Sequence, residues 1–296
     1  MAISRAQLVK ELEPGLNALF GLEYKRYDNQ HAEIYTNESS DRAFEEEVML
    51  SGFANANVKV EGSGVNYDQS QETYTARYTH DTIALAFAIT EEAIEDNLYD
   101  RISSRYTKAL ARSMSNAKQV KAAAPLNNGL PTADGFDSGD GVSLFNTAHT
   151  TVSGTNVKNT LTTQADLNET SLEQALIDIA AFTDERGLRV AAKGVKMIIP
   201  SANQFSAERL LKSQGRTGTA DNDINAVASM GMVPQGYRVN NFLTDSDSWY
   251  IITDVPNGMK MFTRAPLTTA MEGDFDTGNV RYKARERYAF GASDFR

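Results

Sequence analysis

One stretch, Thr90–Ala124, constrains the fold more than any other. Thr90 is placed to N-cap a helix, and Glu91, Glu92 and Glu95 suit its positive end. Lys108, Arg112, Lys118 and Lys121 suit the negative end, and Pro125 is expected to stop the helix. Ile94, Leu98, Ile102, Tyr106, Leu110 and Met114 recur every four residues along one face. About 30 residues make a rod of roughly 45 Å. That is long for a compact enzyme domain and natural for a spine on which other elements are laid.

The rest of the chain alternates in texture. Ile3–Tyr27 reads as one or two short helices broken at Pro14–Gly15, followed by an extended polar stretch to Asp41. Nothing there promises a core of its own, so it reads as an arm. Phe44–Ile89 reads as β-structure. "VKVEGSGVNYD" is a strand followed by a Gly-Ser-Gly turn, and "ETYTARYTHDTIALAFAI" is a long strand whose phase slips near His80–Asp81. Leu126–Gln164 is mostly loop. From Asp166 the pattern becomes α/β: a helix Leu172–Arg186 ended by Gly187, a buried strand Val195–Pro200, a helix from Ser201 to Leu211 and a short helix Ile224–Met230. Strands follow at "YRVNNFL", "SWYIITD" and "GMKMFTR", with the texture turning back to β near Trp249.

The last strand carries the sharpest charge pattern. In "VRYKARERYAFGASDF", Val280, Tyr282, Ala284, Tyr288 and Phe290 share one face, interrupted by Glu286. Arg281, Lys283, Arg285 and Arg287 form a basic row on the other. The whole chain has a formal charge of -10. Its acids concentrate between Asp41 and Asp100, where thirteen acids face three bases, whereas Arg281–Arg296 holds five bases and two acids. Opposite fields at opposite ends of a chain suit docking in a fixed register. A nucleic-acid reading of the basic row is weaker, because its aromatics lie on the other face and offer no stacking platform beside the cations.

Chemistry is sparse. With no cysteine there are no disulfides, thiol nucleophiles or cysteine-ligated metals, and the histidines number three: His31, His80 and His149. There is no phosphate loop, dinucleotide fingerprint, nucleophile elbow or zincin helix. Neighbouring His80 and Asp81 would point to opposite faces of a strand. Asp134, Asp137 and Asp140 are spaced by three, unlike a calcium loop, and read as a solvated loop. A small hydrolase centred on His149 would need an acid partner and an oxyanion hole, and the sequence displays neither. No catalytic residue, cofactor or metal is expected. The longest apolar run, Ile83–Ile89, is too short to span a bilayer, and the N-terminus has no hydrophobic signal region, so synthesis in a cytoplasm and no membrane partner are expected.

The stretch "WYIITDVPNGMKMFTRAPLTTAMEGDFDTGNVRYKARERYAFGASDF" resembles the end of major capsid proteins of tailed bacteriophages, most closely the Mu-type major head subunit. "LFNTAHT", "ISRAQLVKELEPGLNALFGLEYKRY" and "NDINAV" are similar to segments of the same proteins, in the same order. The resemblance implies an α+β chain with the Hong Kong 97-type capsid fold. It would have an N-terminal arm (1–41), a protruding β-hairpin or E-loop with flanking strands (42–89) and a peripheral domain with spine helix and long loop (90–165). An axial domain (166–247) and a return to the peripheral domain (248–296) would follow.

It implies a shell subunit that self-assembles through hexamers and pentamers around double-stranded DNA, resident in the virion and made in the host bacterial cytoplasm. Partners would be copies of itself, a separate scaffolding protein (the short arm leaves no room for a built-in one), a portal and a decoration protein. DNA would be touched non-specifically at most. Contacts between subunits are expected to pair Arg281, Lys283, Arg285 and Arg287 with acids of the hairpin and spine start: Glu45, Glu46, Glu47, Glu61, Asp68, Glu72, Glu91, Glu92 and Glu95. Nothing beside Lys59 marks it for crosslinking, and the arm and E-loop are expected to move until neighbours cover them. Competing readings are a bacterial encapsulin shell, a tail-tube subunit, which the long helix opposes, and the His149 hydrolase.

Overall fold

A computed structural model describes residues 5–90, 92–93, 99–130, 136–216, 223–274 and 277–296. Its first element is a single helix, α1 (Arg5–Arg26), which runs through Pro14 instead of breaking there. An interior proline costs about 3 kcal/mol. Beyond it, Leu16 and Phe20 are buried against Leu110, Ala111, Met114, Tyr282 and Ala284. Asn17 Oδ1 accepts hydrogen bonds from Thr269 Oγ1 at 2.7 Å and Tyr282 OH at 2.8 Å. Packing on the far side of the proline holds the helix together. The expected coreless arm is therefore part of the core, and Ile34 and Tyr35 join a second buried cluster.

Four strands form the main sheet in the order β1 (Thr36–Ser39), β10 (Met259–Gly273), β11 (Val280–Ala292), β4 (Asp81–Ile89). β1 lies parallel to β10, and the other pairs are antiparallel. The long helix α2 (Tyr99–Asn127) packs with α1 over one face of this sheet. Ala93 N donates to Thr90 Oγ1 at 3.4 Å, but the described long helix begins at Tyr99 and not at Thr90; Glu91, Ile94, Glu95 and Leu98 lie outside the described residues. Pro125 does not stop the helix, which continues to Asn127. Its last turn is held from outside: Tyr35 OH donates to the Ala122 carbonyl at 2.7 Å and Tyr250 OH to the Leu126 carbonyl at 3.0 Å.

The expected long strand 72–89 is two strands in different sheets. β3 (Glu72–Thr79) pairs with β2 (Phe44–Leu50) as a hairpin, while β4 turns away at His80 into the main sheet. The strand expected at 58–60 is absent; residues 51–71 form a loop whose one turn is at Glu61–Gly62. Ser51 and Gln71 tie its base, through Ser51 N to Gln71 O at 2.9 Å and Gln71 N to Ser51 Oγ at 3.0 Å. Loop 128–168 carries only the two-residue strands β5 (His149–Thr150) and β6 (Asn156–Val157) among its described residues.

The second layer is small. A sheet β8 (Tyr237–Val239), β7 (Gly194–Ile199), β9 (Tyr250–Thr253) is flanked by α3 (Glu169–Ala180), α4 (Gln204–Lys212) and α5 (Ala226–Met230). Leu172, Leu176, Met197, Ile199, Ala207 and Leu210 are buried among them. α3 ends at Ala180 rather than Arg186, and Gly187, at φ +84°, serves a tight turn beyond it. β9 completes this sheet, so the chain returns to the main sheet after Thr253 and not at 248.

Candidate contact surface

β11 has the two faces its alternation predicts. Val280, Tyr282, Ala284, Glu286 and Tyr288 are buried under the helices. Arg281, Lys283 and Arg285 stand exposed on the outer face, and Arg287 is half-buried with its Nε enclosed and unbonded. Arg281 pairs with Asp274 at 2.5 Å. Lys283 and Arg285 have no ion-pair partner among the described residues. Their cross-strand neighbours are small: Ala84, Ala86 and Ala88 on β4, Thr268 and Ala270 on β10. The cations therefore rise from a floor of methyl groups, with room to lean across it.

The interruption in the apolar face, Glu286, is explained by what meets it. Lys118 Nζ of α2 lies 3.1 Å from its Oε2 and 5.0 Å from the Tyr288 ring centroid. Burial raises the Glu286 carboxyl above its ordinary range, and Lys118 and Tyr24 oppose the shift without cancelling it. One buried charge pair thus ties α1, α2 and β11.

The acids expected to face a neighbour have different partners within the chain. Glu45 accepts from Ser40 Oγ at 2.7 Å, and Glu46 pairs with Arg77 at 3.7 Å. Glu47 is engaged within the chain, 2.5 Å from the buried Lys260 and bonded to Ser293. Burial would lower the Lys260 ammonium, yet Glu47 and Glu38 hold it above its usual range. Asp68 caps loop amides, accepting from Ala54 N at 2.7 Å and Gln69 N at 2.9 Å, and those bonds hold its carboxyl low. Glu61, Glu72 and Glu92 are exposed; Glu91 and Glu95 lie outside the described residues. Among the described residues none of these acids reaches the basic row. Lys59 stands exposed in the loop.

The most exposed apolar side chains among the described residues are in loop 51–71, where Val58 is 94 % exposed and Tyr67 97 %, with Val60 at 69 % and Val65 at 66 % beside them. Apolar side chains at alternate positions, with no strand partner, leave an unfinished surface.

His149 departs from the sequence reading in one respect. It has an acid partner, with Nδ1 2.7 Å from Asp140 Oδ2, so Asp140 is not a solvated loop residue. The imidazole is fully buried, stacked 3.8 Å from the Phe295 ring, and its Nε2 meets no polar atom among the described residues. Among the described residues no hydroxyl bonds to that nitrogen, and the dyad packs the loop against Phe295. His80 and Asp81 diverge as expected, His80 to Ser40 and Asp81 to Lys121. The described residues contain no metal-binding cluster and no helix long and apolar enough to cross a membrane.

A family model described as phage capsid protein matches residues 73–296. No curated protein matches the sequence. Among solved structures, the capsid of an empty GTA particle is similar at 12 % identity, covering 91 % of this chain and 88 % of that one, with a TM-score of 0.56. The capsid of Myoviridae phage XM1 follows at 13 % identity, 88 % and 86 % coverage and a TM-score of 0.52. A virus-like particle from Pyrococcus furiosus has 10 % identity, 95 % and 94 % coverage and a TM-score of 0.52. At such identities the likeness is one of fold.

Proposed function

Because the chain belongs to the phage capsid protein family, we propose that its work is mechanical: it is the major capsid protein of a tailed bacteriophage, closing through hexamers and pentamers into an icosahedral shell around double-stranded DNA. Its fold is the Hong Kong 97-type capsid fold. Within it, residues 1–41 act as the arm, 42–89 as the E-loop and its strands, α2 as the spine, 166–253 as the axial domain and β10 and β11 as the returning peripheral domain. The subunit is of the Mu type, acts without catalysis, and is made in the host cytoplasm.

Loop 51–71 is the observation that carries this reading. A subunit that works alone has no reason to hold Val58 and Tyr67 almost wholly in water; a shell subunit covers them with a neighbour. The basic row, with Lys283 and Arg285 ready for acids from outside, belongs to the same contact system. Head-to-tail contacts of this kind close into rings. Exposed ion pairs add little energy each, so their role is register and rejection of wrong partners, while apolar burial repeated over many copies stabilises the shell. A separate scaffold, a portal and a decoration protein are the expected partners, and a net acidic wall holds packed DNA without binding it tightly.

Electron microscopy of the purified protein, with its mass in solution, tests the proposal. Closed icosahedral shells or capsomer rings are expected. A chain that stays monomeric at high concentration, with crowding agents and with the phage's scaffold protein co-expressed, would refute it.

A further inference from the structure

A cavity of about 520 Å³ lies between the two layers. Leu126 of α2 and Met259 of β10 line it from the main-sheet side, and Ile179 of α3 and Ile251 of β9 from the second layer. Loop residues 158–161 complete the lining. The volume is that of a site for a small organic molecule, roughly 300–1,000 Å³.

The lining fixes the chemistry of a guest. Most polar side chains inside it are already engaged. Asn159 Nδ2 donates to the carbonyls of Leu144 at 2.6 Å and Phe295 at 2.8 Å, Tyr250 OH donates to the Leu126 carbonyl, and buried Arg296 is held between Glu185 and Asp294. The surface left bare is apolar, with Leu144, Phe145 and Phe182 among it, so the body of a guest must be apolar. The charge is one-sided. Lys158 Nζ lies 2.7 Å from Asp178 Oδ2, and those two charges cancel. Asp166, Asp245 and Asp247 also line the cavity; all three are exposed, which puts them at its mouth, and none has an ion-pair partner among the described residues. Trp249 stands with them, its ring fixed by the indole N–H, which donates to the Ala165 carbonyl at 3.0 Å. Three unbalanced carboxylates beside an aromatic face attract a cation. We propose that this cavity binds an amphiphilic organic cation, with its apolar body between the layers and its ammonium group at the mouth beside Trp249, Asp245 and Asp247. Because both layers supply the walls, such a guest fixes one layer against the other. The site lies within one subunit, so it stands or falls independently of shell assembly.

Trp249 is the chain's single tryptophan, so its emission reports on this mouth alone. The dissociated subunit is titrated at pH 7 with three probes that share one body: 4-phenylbutylamine, uncharged 4-phenylbutan-1-ol and anionic 4-phenylbutyrate. The amine is expected to change the Trp249 emission saturably at millimolar concentration and to raise the thermal midpoint. The alcohol should bind about tenfold more weakly and the carboxylate more weakly still. Asp245→Asn combined with Asp247→Asn should weaken the amine about tenfold and leave the alcohol unchanged. Ala175→Leu, on the α3 wall, should abolish binding of both by filling the space. The unfolding midpoint without probe checks that each variant is folded, and the exposed aspartate pair keeps the test open should Ala175→Leu fail to fold. A signal that does not saturate with the amine, equal affinity for amine and alcohol, an amine affinity unaltered by the paired Asn variant, or binding that survives in a folded Ala175→Leu subunit would each overturn the inference.

Discussion

Lys118→Met is the perturbation whose cost follows most directly from the fold. Glu286 is 1 % exposed, and Lys118 is its only cationic partner within ion-pair distance among the described residues. Removing the ammonium leaves a carboxylate enclosed by Tyr24, Tyr288 and the aliphatic floor beneath the helices. Breaking a buried pair from one side costs about 3–5 kcal/mol. For a chain of this size that lowers the unfolding midpoint by roughly 10 °C. Glu286→Gln should behave differently. It discards a charge that burial already disfavours and keeps the side chain's shape, while Lys118 retains partial access to water, so a loss below about 1 kcal/mol is expected. The double variant Lys118→Met with Glu286→Gln should recover most of the deficit. The pH dependence has a definite sign. A carboxyl whose folded pKa is raised destabilises the fold above that pKa, and the penalty is relieved as pH falls through it and the group protonates. The Lys118→Met deficit should therefore shrink between pH 8 and pH 5. The assay is urea denaturation of the dissociated subunit across that range. A Lys118→Met protein within 1 kcal/mol of the parent at pH 8, or a deficit that does not change down to pH 5, would refute the reasoning.

Three further outcomes are expected. Lys283→Glu with Arg285→Glu should leave the subunit's unfolding midpoint unchanged, because both side chains are exposed, yet delay or prevent shell formation followed by light scattering. Lys260→Met strands Glu47 and Glu38 at the root of the hairpin, and limited proteolysis should then cut loop 51–71 faster than in the parent. Gly291→Ala would place a methyl group 2.6 Å from the buried Tyr78 ring, and the repacking should cost about 1–3 kcal/mol in a urea titration.

How much of this was readable from the sequence depended on range. Period-two alternation alone predicted both faces of β11, and the strand at Val195 and the long helix were visible for the same local reason. Pro14 and Pro125 misled because helix breaking is a local cost, while the packing of Phe20 and Leu126 that outweighs it is not local. Val58–Val60 has a strand's pattern but no strand, because a ladder needs a partner and none of the described residues supplies one. On the candidate surface the exposure of the basic row was legible and the in-chain partners of the acids were not. Glu47 meets Lys260 across 213 residues, and Glu286 meets Lys118 across 168. Asp140 was legible as an acid, but only the folded loop turns it onto His149.

The strand order of the main sheet has a consequence for timing. β1 leaves the ribosome long before its partner β10, and α1 long before β11, on which it partly rests. Neither can dock until residues 259–292 have emerged. At about 5–20 residues per second, that leaves the amino-terminal segments waiting for tens of seconds. The basic row on β11 and the paired form of β4 arrive in that same final step. A chain still being translated, or one lacking residues 280–292, therefore presents neither the basic row nor a complete main sheet, and the fold finishes in the order in which its strands are made.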